Sequence, residues 1–187
     1  IFRFFFSLTF LSFPNTIEER KKERKKERKK ERKKGEKVNS MLSFENQEVE
    51  FKQEYVPEIR KEVIAFANAS GGTILIGVRK DGAIIGVDDP DAIMLQVAGS
   101  LKDSIAPDIM PFVNIKTVEI DGKTVVEINI ATGTNRPYYI REKGLKPSGV
   151  YVRKGSSSQP MTDEGIREMI IQSGRCSYET SRSMNQD

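Results

Sequence analysis

The 187-residue chain contains no histidine and a single cysteine, Cys176. Without an imidazole there is no Ser-His-Asp or Cys-His relay and no histidine-ligated metal. A lone thiol excludes an internal disulfide and a cysteine-built zinc site. It suits a reducing compartment, and the cytoplasm is the expected location. Any metal would have to be held by carboxylates, which favours magnesium, calcium or manganese. No G-x-x-x-x-G-K-[ST] segment occurs. Gly155-Ser156-Ser157-Ser158 lacks the lysine and does not open a helix directly, so a phosphate loop for ATP is missing. The apolar start, "IFRFFFSLTFLSFP", is too short to cross a bilayer as a helix, and no membrane role is expected. It also lacks the initiating methionine and small-residue cleavage site of a signal peptide.

The net charge of +4 is unevenly spread. Residues 18–37 hold 13 Lys/Arg against 6 Glu, a local +7, and Arg3 adds one more. Residues 38–187 hold 17 basic and 21 acidic residues, a net −4. The basic pI therefore belongs to the leader and says nothing about nucleic acid on the folded part. The leader repeats every four residues as "ERKKERKKERKKERKK", which places like charges at i,i+4 and leaves helicity marginal. It reads as a phosphate-gripping tail, as a solvated disordered tract, or as purine-rich upstream sequence read in frame ahead of a true start at Met41. The last is preferred. The expected organisation is a non-domain leader over 1–40, one domain over 41–172, and a polar linker over 173–187, cut short.

Local patterns predict an α+β fold: a mixed, mostly antiparallel sheet of about six strands with three helices. Val49–Gln53 reads as a strand. Pro57 opens a helix with Ile59, Val63, Ile64, Phe66 and Ala67 on one face, and Gly71-Gly72 ends it. "TILIGV" (73–78) is a buried strand, and "AIIGV" (83–87) is expected to return beside it after Lys80-Asp81-Gly82. Asp89-Pro90 starts a second helix with Met94, Val97, Ala98, Leu101 and Ile105 as its buried stripe, ended by Ala106-Pro107. "NIKTVEI" and "KTVVEINI" flank Asp121-Gly122, a hairpin signal. "YYIR" and "VYVR" are further short strands. A last helix near Thr162 buries Ile166, Met169 and Ile170. Strand, helix and strand around the double glycine hint at one parallel crossover.

"EVEFKQEY", "EVIAFANASGGTILIGVRKDGAIIGV" and "NRPYYIREKG…SGVYVRKGSSSQPMTDEGI" together resemble the Schlafen AlbA_2 domain, over about Glu45 to Ile171. This domain, also called divergent AAA, stands at the front of many bacterial transcriptional-regulator-like proteins, commonly followed by a winged-helix region. The resemblance implies a nucleic-acid-binding module, with DNA or RNA as partner and a winged-helix region beyond residue 187. In animal Schlafen proteins the same domain forms an RNA endonuclease with three acidic residues. Carried over by motif, two of these fall on Glu45 and Glu50. The third should follow the "IGV" strand, where this chain has Arg79-Lys80, with Asp81 one residue late. Magnesium or manganese is implied only under that nuclease reading; otherwise no cofactor is expected. Two cations at the third position would repel the metal, and Asp-Gly is also an ordinary turn pair.

Strand parity puts Glu48, Glu50 and Lys52 on one face, as on any half-exposed strand. In "FANASGG", Asn68 and the bare backbone of Gly71 and Gly72 can admit a phosphate or base, or can merely end a helix. Arg136, Tyr138, Arg141, Tyr151, Arg153 and Lys154 combine cations with aromatic rings, which suits phosphate contact and base stacking. The alternative is sheet tyrosines half-buried beside paired arginines. Lys52, Arg60, Lys61 and Arg79 complete the expected binding set. A third expectation is that the sheet serves homo-oligomerisation or docks a protein.

Overall fold

The computed structural model of the chain describes residues 24–25 and 45–183, with side chains described as far as residue 174. Two units divide the chain, Ile1–Ser40 and Met41–Asp187. In the first, Arg24 and Lys25 are helical and exposed; the expectations for the rest of 1–40 lie outside the described residues. No helix among the described residues is long and apolar enough to cross a membrane.

The second unit has the expected α+β class and three helices. Its order is β1 (Val49–Lys52), α1 (Ile59–Asn68), β2 (Gly72–Ile76), α2 (Pro90–Ser104), β3 (Ile105–Ala106) and a 3-10 turn at Met110–Phe112. β4 (Val113–Ile120), β5 (Lys123–Ile130), β6 (Tyr139–Ile140), β7 (Tyr151–Lys154), β8 (Ser157–Pro160) and α3 (Asp163–Ser183) follow. The main sheet runs β1-β2-β5-β4, and β3-β6 and β7-β8 form separate two-stranded ribbons. Among the described residues the strands are thus eight in three sheets, where about six in one were expected. β1 and β2 are parallel, with Val49 opposite Thr73, and α1 is the crossover between them. The remaining pairs are antiparallel.

Asp121 (φ 51°) and Gly122 (φ 73°) both take the left-handed conformation that a tight hairpin turn demands, so β4 and β5 stay in register over all eight residues. "AIIGV" does not become a ladder strand; it keeps one bridge, Val78 to Ile84. Gly77 and Gly86, both at positive φ, press backbone to backbone there, and Val87 N then donates to Thr124 O. The segment is held through Ala83, Ile85 and Gly86 to residues 77–79 and through Val87 to β5.

Helix α1 is buried all round from Val63 to Ala67. It has neighbours on more than one side: β5 of the sheet, and β6, β7 and β8. Burying an all-apolar turn in this way is worth about 1.5–3 kcal/mol per large side chain. On α2, Asp89 caps the helix by accepting from Ala92 N at 2.9 Å. Val97, Leu101 and Ile105 of its expected stripe are buried, while Met94 and Ala98 are half-buried. On α3, Ile166 is buried and Met169 half-buried, but Ile170 is exposed. That helix continues to Ser183, past the boundary expected at 172.

Candidate nucleic-acid interface

Glu50 was expected on the wet face of β1, and that expectation fails. Strand β1 lies at the sheet edge, yet Val49, Glu50 and Phe51 are all buried. Arg153 of β7 reaches over this edge. Its Nη2 donates to Glu50 Oε2 at 2.9 Å and to the carbonyl of Asn46 at 2.9 Å, with Val49 O at 3.5 Å. Its Nη1 donates to Glu62 Oε2 at 3.2 Å, and its Cζ lies 4.7 Å from the centroid of the Phe66 ring. Lys52 Nζ pairs with Glu50 Oε1 at 2.7 Å, and Ser158 Oγ donates to Glu62. Two carboxylates and two cations thus balance inside the protein, and the guanidinium fork closes the strand edge. Arg153 has only 1 % of its side chain exposed, so it cannot serve a polynucleotide as expected. Lys52 is committed to the same network.

The proposed acidic triad is not assembled. Glu45 Oε1 accepts from Phe51 N at 3.3 Å, which folds it back along β1. Asp81 Oδ1 accepts from Ala83 N at 3.0 Å, the hydrogen bond of an Asx turn, and Oδ2 lies 3.7 Å from Arg79 Nη1. Among the described residues no three acidic, histidine or cysteine side chains are placed to hold one metal ion. An open depression of about 400 Å³ lies at the end of β1, lined in part by Phe51, Val56 and Ile85 with Lys52, Glu54 and Lys80. Two ammonium groups border it. Glu45, Glu50 and Asp81 therefore do not fit a magnesium or manganese ion, because each is already turned to a protein donor or cation.

The "FANASGG" residues are spent on the fold. Asn68 is buried; its Nδ2 donates to the carbonyls of Tyr138 and Tyr151, both at 2.9 Å, and its Oδ1 accepts from Tyr138 N at 2.8 Å. It clips the end of α1 to the 138–151 region and leaves nothing for a ligand. A Cβ on Gly71 would sit 2.6 Å from Ile130 O, and one on Gly72 would strike the Phe66 ring at 2.3 Å. Protein, not ligand, fills the space those glycines open. The stacking tyrosines are corrected too. Tyr138 is fully buried, edge-on to Phe112 with ring centroids 6.1 Å apart, and burial pushes its phenol above the ordinary value. Tyr151 is buried and donates to Ser148 O at 3.1 Å.

The cations that face solvent are a different subset. Arg79, Arg141 and Lys154 are exposed; Arg60, Lys61 and Arg136 are half-buried. Arg60 and Arg141 both reach the C-terminal end of α2. Arg60 Nη1 donates to Ser104 Oγ at 2.9 Å and its Nε to Pro57 O at 2.9 Å. Arg141 Nη2 donates to Ile105 O at 3.1 Å, while its backbone N donates to Ser104 O at 2.8 Å. Each guanidinium is oriented by only part of its donor fork, and the negative end of the helix dipole supports both. Arg136 Nη1 similarly approaches Asn68 O at the end of α1, 3.5 Å away. Sequence reading missed Glu62, Ser104 and Ser158, and no local signal marks them. Their partners lie 91, 44 and 96 residues away.

Residues 45–162, more than half of the chain, match the family model "Schlafen, AlbA_2". The chain belongs to the Schlafen AlbA_2 family. Two solved structures resemble this AlbA_2 chain. One is the DIP2311 protein of Corynebacterium diphtheriae, at 23 % identity and TM-score 0.46, over 62 % of this chain and 25 % of that one. The other is the N-terminal domain of a RecG-related protein from Nitrosomonas europaea, at 26 % identity and TM-score 0.43, over 62 % of this chain and 82 % of that one. The AlbA_2 chain thus spans a quarter of the length of the C. diphtheriae protein. No curated protein matches it.

Proposed function

We propose that this AlbA_2 domain is a nucleic-acid-binding module, with DNA as its main partner, within a cytoplasmic bacterial transcriptional regulator. The reading is carried by the Arg60–Arg141 pair. Two guanidinium groups from distant parts of the chain are each held at residues 104–105 with donors left over, which suits contact with backbone phosphates. Lys61, Arg79, Arg136 and Lys154 would add phosphate contacts. Lys52, Asn68, Gly71, Gly72, Tyr138, Tyr151 and Arg153 are withdrawn from the contact set, because the fold uses them. Membership of the AlbA_2 family supports the reading.

The test is a salt titration of full-chain binding to duplex DNA and to single-stranded RNA. Affinity should fall steeply with salt, and Arg60→Gln with Arg141→Gln should weaken it without unfolding the domain. Binding by that double variant equal to the parent would overturn the assignment. The metal-dependent RNA endonuclease is supported less, since Glu50 would have to abandon Arg153 and Lys52 to hold an ion. Cleavage of structured RNA with magnesium or manganese, lost in Glu50→Gln, would reinstate it.

A further inference from the structure

Helix α2 leaves one face uncovered among the described residues. Leu95 on it is 77 % exposed, the most exposed large apolar side chain among the described residues. One turn on, a Cβ built on Gly99 meets no heavy atom within 4 Å. At 3.6 residues per turn, Asp91, Leu95, Gly99 and Lys102 share this face, opposite the buried Val97 and Leu101. Asp91 and Lys102 are both exposed. The face therefore carries a protruding side chain, a bare patch of backbone, an acid at one end and a base at the other.

These four features are mutually complementary when the helix meets a second copy of itself running the other way. About a two-fold axis level with Val97, Leu95 of each copy lies across from Gly99 of the other. Asp91 of each then lies beside Lys102 of the other. Acidic helix starts meet basic helix ends, the favourable sense of the dipole. We propose that α2 is a homodimerisation face of this domain, closed by two Leu95–Gly99 contacts and two Asp91–Lys102 ion pairs. The arrangement is isologous, so it stops at two copies. A single helix pair buries less than a standard interface, so the dimer is weak and reversible. It does not depend on nucleic acid or on the Arg60–Arg141 pair.

Sedimentation velocity of the full chain over a concentration series, without nucleic acid, tests this. A monomer–dimer equilibrium is expected, weakened about tenfold or more by Leu95→Glu, which replaces a buried apolar contact by an uncompensated charge. Leu95 is so exposed that the variant should fold, and circular dichroism checks this. Asp91→Lys and Lys102→Asp should each weaken the dimer, and together restore it; Asp89, not Asp91, caps the helix, so the cap survives. A chain that stays monomeric at every concentration, or an association indifferent to both Leu95→Glu and the charge exchange, overturns the proposal.

Discussion

Arg153 and Glu50, 103 residues apart in the chain, meet at 2.9 Å in the interior, where the arginine also lies over Phe66. The acidic strand and the basic strand, separate candidates in the sequence, are one structural unit. Removing the cation leaves Glu50 and Glu62 with Lys52 alone to balance them in a mostly buried site. Arg153→Ala should therefore cost about 3–5 kcal/mol. Lys52→Ala removes the more exposed of the two cations and leaves Arg153 on Glu50, so it should cost less, about 1 kcal/mol. Urea midpoints at neutral pH measure both, and equal losses would contradict the central role of Arg153.

Asn68 is the second prediction. Asn68→Ala removes three hydrogen bonds from buried backbone groups of Tyr138 and Tyr151. A loss of about 2–4 kcal/mol is expected. Asn68→Asp keeps the shape but turns a carboxylate oxygen toward two carbonyls, so it should destabilise as well, more at neutral than at acid pH. Thermal unfolding at both pH values checks this. Affinity for nucleic acid, measured on the folded fraction, should be unchanged.

Binding variants separate surface from interior. Replacing one phosphate-contacting arginine should reduce the slope of log affinity against log salt by about 0.9 on duplex DNA. Arg60→Gln and Arg141→Gln are expected to do so. Tyr138→Phe, whose ring is closed inside the protein, should leave the slope unchanged. Filter binding or fluorescence anisotropy at several salt concentrations decides.

Alkaline stability reports on Tyr138. Burial, the largest cause, raises its pKa above the ordinary 10.0, so the folded state keeps the phenol proton longer than the unfolded chain does. Its contribution is fully present below about pH 10 and is lost as pH rises through the folded-state pKa. Tyr138→Phe should flatten the alkaline limb of the stability–pH curve between those points. Parallel curves for parent and variant would show that Tyr138 does not carry that limb.

Much of the fold was legible because its signals are local. Asp121-Gly122 sets a tight hairpin, Asp89-Pro90 caps a helix, and the alternation around the double glycine implies a parallel crossover. All three are where the sequence puts them. The candidate site was much less legible. Strand parity assigned Glu50 to solvent because the strand was considered alone, and Tyr138 looked like a stacking platform because it stands among arginines. "AIIGV" has the composition of a strand, but two glycines in backbone contact hold it out of the ladder.

By itself the sequence determined the class of the fold, the helix cap at Asp89, the Asp121-Gly122 hairpin turn, the family motif, and the exclusion of histidine chemistry and of an internal disulfide. Each follows from the residues present or from neighbours a few positions apart. Only the tertiary structure decided which charges are buried and which face water. That choice depends on β7 lying over the edge of β1, and on Arg141 reaching the end of α2, contacts between segments 36 to 104 residues apart. A charge is costly to bury until its partner arrives, and the arrival is a property of the packed chain.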